Sequence, residues 1–267
     1  MRIDPLTSLL HRHASQNGPV MLMYHAVWSG KRVPDWPWAV SMQRFRDQLD
    51  FLATEGYATP TMGELAAAPA KKWSGRTAVI TFDDGYVDNL AACEELQKRG
   101  MRASWFIVSG SIGRAPGWRV DSRPAERLLN AAELRNMQEC GMEIGSHTAS
   151  HMRLIESDDA RLTQELADSK AALQDMLGHA VNSFAYPYGA WDARCVAAVK
   201  QAGYAAACTT RIGRALRDNH PYTLRRLTVY NTDTVSSLAR KLAYAANDVT
   251  WRSLARQYIA SRLLPHS

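Results

Sequence analysis

The chain has 267 residues, of which 46% are hydrophobic and 22% charged, a composition that excludes a disordered or fibrous protein. Lys and Arg outnumber Asp and Glu by 32 to 26; the basic residues are scattered, with no run of four, which favours anionic partners but argues against a nucleic-acid module, since no binding motif accompanies them. The longest apolar runs fall well short of the ~18–20 residues that would span a bilayer, and Cys93, Cys140, Cys195 and Cys208 form no CxxC pair, so reduced thiols and a cytoplasmic location are expected.

In chain order, the apolar run Val20 to Val27 after Gly18-Pro19 predicts a buried strand. Ser41 to Gly56 predicts a helix, capped by Ser41 and with Phe45, Leu49 and Leu52 on one face. Strands follow at Thr77 to Phe82, Ala103 to Val108, Met142 to Gly145, Ser183 to Tyr186, Tyr204 to Cys208 and Thr223 to Val229. Helices stand between them at Asn89 to Arg99, Ala131 to Cys140, Asp158 to Leu177 and Asp192 to Gln201, most closed by a glycine. Two more helices, Val235 to Ala246 and Trp251 to Leu264, end the chain. Alternating strands and helices predict an α/β fold with a parallel sheet, here a barrel-like arrangement of about seven strands. One domain over 1–267 is expected, with a core at about 20–229 followed by the C-terminal helices at 235–264.

Four segments carry candidate chemistry, each at or near the end of a strand. Thr81-Phe82-Asp83-Asp84-Gly85-Tyr86 places two adjacent carboxylates at a strand end. Neighbours on an extended chain point to opposite faces, so one can bind a metal while the other takes a proton. His147-Thr148-Ala149-Ser150-His151 offers two imidazoles, meeting on one helical face or across a tight loop. Together Asp84, His147 and His151 form a two-His, one-carboxylate face for one divalent ion, leaving Asp83 as a base. Alone, each motif has a plainer reading, an Asp-Gly turn or a histidine pair without metal; the combination carries the argument.

Phe184-Ala185-Tyr186-Pro187-Tyr188-Gly189 is a third segment, in which proline restrains a turn that can aim the Tyr188 N–H at a developing oxyanion. In Met23-Tyr24-His25-Ala26-Val27, His25 is either a core histidine or a general acid. Trp28, Trp36, Trp38, Trp118 and Trp191 fall in or near loops after strands; Trp36 and Trp191 are the preferred platforms for a sugar ring. The last helix gathers Trp251, Leu254, Ala255, Tyr258 and Ile259 on one face with Arg252, Arg256 and Arg262 elsewhere, a pattern for covering the barrel or for peripheral membrane contact.

These motifs, in this order from about Val20 to Val229, resemble the NodB-homology polysaccharide deacetylases, carbohydrate esterase family 4. The resemblance implies a distorted (β/α) barrel, one divalent metal that is usually zinc, and hydrolysis of an N-acetyl group on an amino sugar. It implies Asp83 as catalytic base, Asp84, His147 and His151 as metal ligands, and the Tyr188 amide at the oxyanion. Two departures are visible: no Arg opens the proline motif, and Leu224-Arg225-Arg226 stands where a late Leu-x-His is usual. Both resemble the branch that deacetylates poly-N-acetylglucosamine, which implies His25 as acid and a late arginine, Arg226 or else Arg225, as partner of the base. The expected substrate is an N-acetylated sugar, lipid- or nucleotide-linked among the options. A deformylase or other amidohydrolase on the same barrel, and a non-catalytic sugar-binding domain, are the alternatives.

Overall fold

The computed structural model describes residues 3–14, 18–30, 35–68, 70–118 and 127–256. Strands β1 (Val20–Tyr24), β4 (Ala78–Phe82), β5 (Ser104–Ile107), β6 (Glu143–Ser146), β7 (Ser183–Ala185), β8 (Ala206–Cys208) and β9 (Leu227–Thr228) form one parallel sheet in the order β8-β7-β6-β5-β4-β1-β9. The sheet curls into a partial barrel. Its two edges approach through the segment before β9, where Leu224 bridges Cys208 before the chain passes on to pair with β1. Helices α2 (Met42–Thr54), α4 (Asn89–Gln97), α5 (Ala131–Glu139), α6 (Asp159–Leu177), α7 (Ala193–Gln201) and α8 (Val235–Tyr244) accompany the strands.

The strands are buried on both faces, so their sequences read as continuous apolar runs, yet side chains still alternate. Leu22, Tyr24, Ile80, Phe82, Trp105, Ile107 and Ile144 join the large outer cluster beneath the helices. Met21, Val79, Phe106, Ala185 and Leu224 join a separate inner cluster. Helix α3 (Met62–Ala67) inserts Met62 and Leu65 into that inner cluster, and Glu143 accepts hydrogen bonds there from Gly63 N (3.0 Å) and Ser104 Oγ (2.6 Å). One end of the interior is therefore filled, and the strand C-termini form the other end.

This alternation decides where the chemistry points. Val79 and Thr81 face inward on β4, so Asp83 continues inward; Gly145 does the same for His147 on β6, and Met23 for His25 after β1. Leu224 faces inward and Leu227 outward, which aims Arg226 into the interior and Arg225 away from it.

The expected elements differ from the observed ones in a few places. Val20 to Val27 is not one strand: the chain leaves the main sheet after Tyr24, and β2 (Ala26–Trp28) pairs in parallel with β3 (Ala39–Ser41) in a second, two-stranded sheet. His25 sits at that break. Helices α1 (Pro5–His13) and α3 were not anticipated, although Asp4-Pro5 is an N-cap with proline at the first position and Thr61 with Glu64 forms a capping box. The strand expected over Thr223 to Val229 is regular only at Leu227–Thr228. Residues 257–264 of the last expected helix lie outside the described residues; on the described part, the Arg240 guanidinium lies 4.7 Å over the Trp251 ring. Among the described residues, no helix is long and apolar enough to cross a membrane.

Gly145 marks how tightly the interior closes beneath the site. A Cβ there would stand 2.8 Å from the Phe106 ring and 2.9 Å from the Ser183 carbonyl oxygen, and the backbone oxygen cannot give way. Gly145→Ala is expected to destabilise the fold by about 1–3 kcal/mol through overpacking, lowering the thermal midpoint by roughly 2–10 °C at this chain length. An unchanged midpoint in a calorimetric scan would contradict this packing.

Candidate functional site

Past the end of β4 the backbone turns sharply. Asp84 has φ +72° and Gly85 φ +85°, both left-handed. Asp83 keeps the strand's inward direction, its N–H donating to the Tyr24 carbonyl at 3.0 Å, while the turn swings Asp84 to a different set of neighbours. Gly85 has no substitute here, since a Cβ would lie 2.7 Å from the Ile107 side chain at a φ unfavourable to L-residues.

Asp83 meets Arg226 in a two-pronged ion pair: Nη1 donates to Oδ1 at 2.6 Å and Nη2 to Oδ2 at 2.8 Å. Both residues are buried. Arg226 also donates Nε to the Thr209 carbonyl (2.9 Å) and Nη1 to Thr81 Oγ1 (3.3 Å), which fixes the plane of the fork. Burial pushes the Asp83 carboxyl up, but the adjoining guanidinium outweighs it and holds the group below the usual carboxylate range. Arg225 points elsewhere, gripping Asp218 at 2.7 and 2.8 Å.

Asp84 faces the two histidines. Its Oδ1 lies 3.2 Å from His151 Nε2 and 3.6 Å from His147 Nε2, and the three ligand atoms fall within 4.8 Å of one another. His147 and His151 meet across a loop and not on a helix, because Thr148 (φ +67°) and His151 (φ +62°) are both left-handed. His147 Nδ1 lies 2.7 Å from the Ala185 carbonyl oxygen. A carbonyl only accepts, so Nδ1 carries the proton and Nε2 presents a lone pair. Burial pulls the His147 pKa down to about 4, so the ring is neutral at pH 7. A lone pair thus faces a carboxylate oxygen, and that buried Oδ1 has no hydrogen-bond donor among the described residues. Two acceptors aimed at one point need a cation between them. Arms of ~2.0–2.1 Å in tetrahedral geometry place ligand atoms roughly 3.3 Å apart, close to the two distances from Asp84. The three side chains therefore fit one divalent ion.

The histidine loop is braced from behind by Glu165 of α6. Its Oε2 accepts from Ala149 N (3.0 Å) and Ser150 N (2.9 Å), and its Oε1 accepts from Ser150 Oγ (2.8 Å). Glu165 was not singled out in the sequence, although a signal existed: a carboxylate on the apolar face of α6, beside Leu162 and Leu166.

A cleft of about 560 Å³ opens above these groups. His25 lines it, partly buried, with its ring near Trp36 and Trp38 (both 5.9 Å) and its carbonyl accepting from Asn89 Nδ2 at 2.9 Å. Burial lowers the His25 pKa, against the pull of Asp84 and Asp83. His25 Nδ1 has no hydrogen-bond partner among the described residues. On the other side Tyr188, at φ +59°, sets its ring 4.7 Å from that of His151. The turn depends on Gly189, where a Cβ would collide with Thr210. Trp36, Trp38 and Trp118 line the cleft, and the Trp118 ring lies 4.3 Å from the His151 ring. Trp191 is not among the lining residues; it packs near Tyr186 and Arg211. Arg153 lines the cleft as well, and nothing in its sequence surroundings singled it out.

Comparison with known proteins gives one consistent family. The family model described as "Polysaccharide deacetylase" matches residues 70–207. YxkH of Bacillus subtilis (strain 168), named as a polysaccharide deacetylase, is 32% identical over 212 residues, covering 78% of this chain and 70% of its own. The poly-beta-1,6-N-acetyl-D-glucosamine N-deacetylase of Staphylococcus aureus (strain MRSA252) is 24% identical over 226 residues, 75% of this chain and 73% of its own. The solved structure of IcaB from Ammonifex degensii superposes with a TM-score of 0.73 at 24% identity, over 85% of this chain and 97% of that one, a likeness of fold.

The brace behind the histidines makes a measurable claim. Glu165→Ala removes the acceptor of two loop amides and is expected to weaken divalent-metal affinity by about 10–100-fold, read by competition against a chelator. Unchanged affinity would mean that the loop holds its shape without that carboxylate.

Proposed function

The chain belongs to the polysaccharide deacetylase family and is a metal-dependent carbohydrate N-deacetylase, and from that premise we propose which of its groups carry the hydrolysis of an N-acetyl amide on an amino sugar. The observation that carries the assignment is the separation of the two neighbouring acids: Asp83 is paired with Arg226, whereas Asp84 shares a buried point with His147 and His151. Asp84, His147 and His151 hold the metal. Zinc suits this set of two imidazoles and one carboxylate with open positions. Bound there, the ion supplies Lewis-acid polarisation of the acetyl carbonyl and acidifies water.

The protein's own groups do the rest. Asp83 takes the proton from the attacking water. Arg226 keeps that carboxylate ionised and holds its plane, which leaves its basicity modest but its orientation fixed. The Tyr188 backbone amide, presented by the left-handed turn before Gly189, faces the oxygen on which charge develops. His25, on the opposite side of the cleft, gives a proton to the departing amine. Trp36 and Trp38 offer faces to the sugar ring on the His25 side. The substrate is an acetamido sugar in a glycan or in a lipid- or nucleotide-linked precursor, the latter favoured by the basic balance of the chain.

Metal-loaded protein is expected to release acetate from acetylated amino sugars. Asp83→Asn should retain metal while turnover falls by roughly 10²–10⁴-fold, the usual contribution of a positioned base. Full turnover in that variant, or loss of the metal with it, would contradict the division of labour between the two acids. Release of formate and not acetate would favour a deformylase on the same scaffold.

A further inference from the structure

Among the described residues that line the cleft, one permanent cation is not used by the chemistry above. Arg153 follows His151 by two residues and lines the cleft. Its guanidinium lies 4.4 Å over the Tyr188 ring, which itself touches His151. The loop beneath it is anchored: Leu154 is fully buried, and Arg194 donates to the carbonyls of Ser157 (2.7 Å) and Ile155 (3.3 Å). Arg153 is therefore held at a set place relative to the metal ligands, with 45% of its side chain exposed.

Its charge is met only at a distance. Glu156 Oε1 is its nearest carboxylate partner among the described residues, at 3.9 Å, beyond hydrogen-bond reach, and Glu156 is itself largely exposed. No described residue accepts a hydrogen bond from its five N–H groups. The acids on the cleft floor are already committed, Asp83 to Arg226 and Asp84 to the metal point with His147 and His151. Asp35, the remaining carboxylate among the described lining residues, stands next to Trp36, and no ion pair joins it to Arg153. A planar guanidinium, stacked on one face and with its edge free, suits a two-oxygen anion better than a hydroxyl, because a hydroxyl satisfies a donor but leaves the charge uncompensated.

We propose that Arg153 is a specificity residue that receives an oxyanion of the substrate, so that the acetamido sugar taken by this site carries an acidic group, phosphoryl or carboxyl, on the side facing Tyr188. This rests on the deacetylase reading of the site and narrows its substrate class.

The test uses metal-loaded full-length protein and three acetamido substrates. N-acetylglucosamine 1-phosphate supplies the phosphoryl arm, N-acetylmuramic acid the carboxyl arm and di-N-acetylchitobiose the neutral arm. The acidic arm that matches is expected to have the highest kcat/KM and the steepest loss with salt. Arg153→Gln should lose about tenfold to a hundredfold more kcat/KM on that arm than on the neutral one, chiefly through KM. Arg153→Lys, which keeps the charge but not the fork, should fall between. In parallel, calorimetric titration with the deacetylated sugar of the matching arm, glucosamine 1-phosphate or muramic acid, which has no acetyl group to cleave, should show a dissociation constant at least about tenfold weaker in Arg153→Gln. Equal loss on all three arms, or unchanged binding in the variant, would overturn the inference while leaving the deacetylase reading intact. Arg153-dependent binding of the acidic sugar without any acetate release would do the reverse.

Discussion

Two carboxylates that are neighbours in the chain are buried side by side, and everything near the cleft follows from how their charges are met. Leaving either unpaired in the interior would cost several kcal/mol. Asp83 is answered by a guanidinium from the segment that enters β9, Asp84 by the metal point it shares with His151 and with His147, whose free nitrogen faces it. The left-handed turn at Asp84 and Gly85 makes the two solutions compatible, because an extended chain would send Asp84 to the opposite face of the sheet from Asp83, whereas the turn brings it to the histidines on the same side. The backbone there is held by Gly85 N–H donating to the Asp83 carbonyl at 2.9 Å.

The same pairing has an architectural consequence. Arg226 lies in the segment that leaves β8 and enters β9, the stretch that brings the two edges of the sheet together. Its fork on Asp83 and its bond to the Thr209 carbonyl tie that segment to both β4 and β8. The group that orients the base therefore also helps to close the barrel. Such a group cannot be exchanged for lysine without loss, since the planar fork, and not charge alone, spans the two acceptor oxygens. A second buried network, in which Lys241 of α8 reaches the Thr228 carbonyl at 2.7 Å and Gln48 links Tyr24 Oη to the Asp233 carbonyl, steadies β1 and β9 just ahead of His25.

Much of this was legible in the sequence. Apolar runs, glycine stops and N-caps marked the strands and helices of the main sheet, and the strand alternation that sends Thr81 and Asp83 inward needs only counting from Val79. The pairing of Asp83-Asp84 with His147 and His151 was visible as chemistry before any geometry. Other features depended on three-dimensional packing. Whether Arg225 or Arg226 faces the base turns on which of them shares parity with Leu224, and the short regular stretch at Leu227–Thr228 left that parity open. The break after Tyr24 was hidden because Ala26 and Val27 are as apolar as the strand before them, although they pair with β3 in another sheet. Arg153 and Trp118 reach the cleft from loops, where periodicity carries no information, and Trp191 looked equally suited to a sugar although it packs outside the cleft.

The central claim is that Asp84, His147 and His151 together grip one divalent ion. X-ray absorption at the zinc edge of the reconstituted protein tests it most directly. The account predicts two imidazole nitrogens at ~2.0–2.1 Å, with their characteristic outer-shell scattering, and oxygen neighbours at ~2.0–2.2 Å. A shell at ~2.3 Å from thiolate sulfur, or a first shell of oxygen without imidazole scattering, would contradict it.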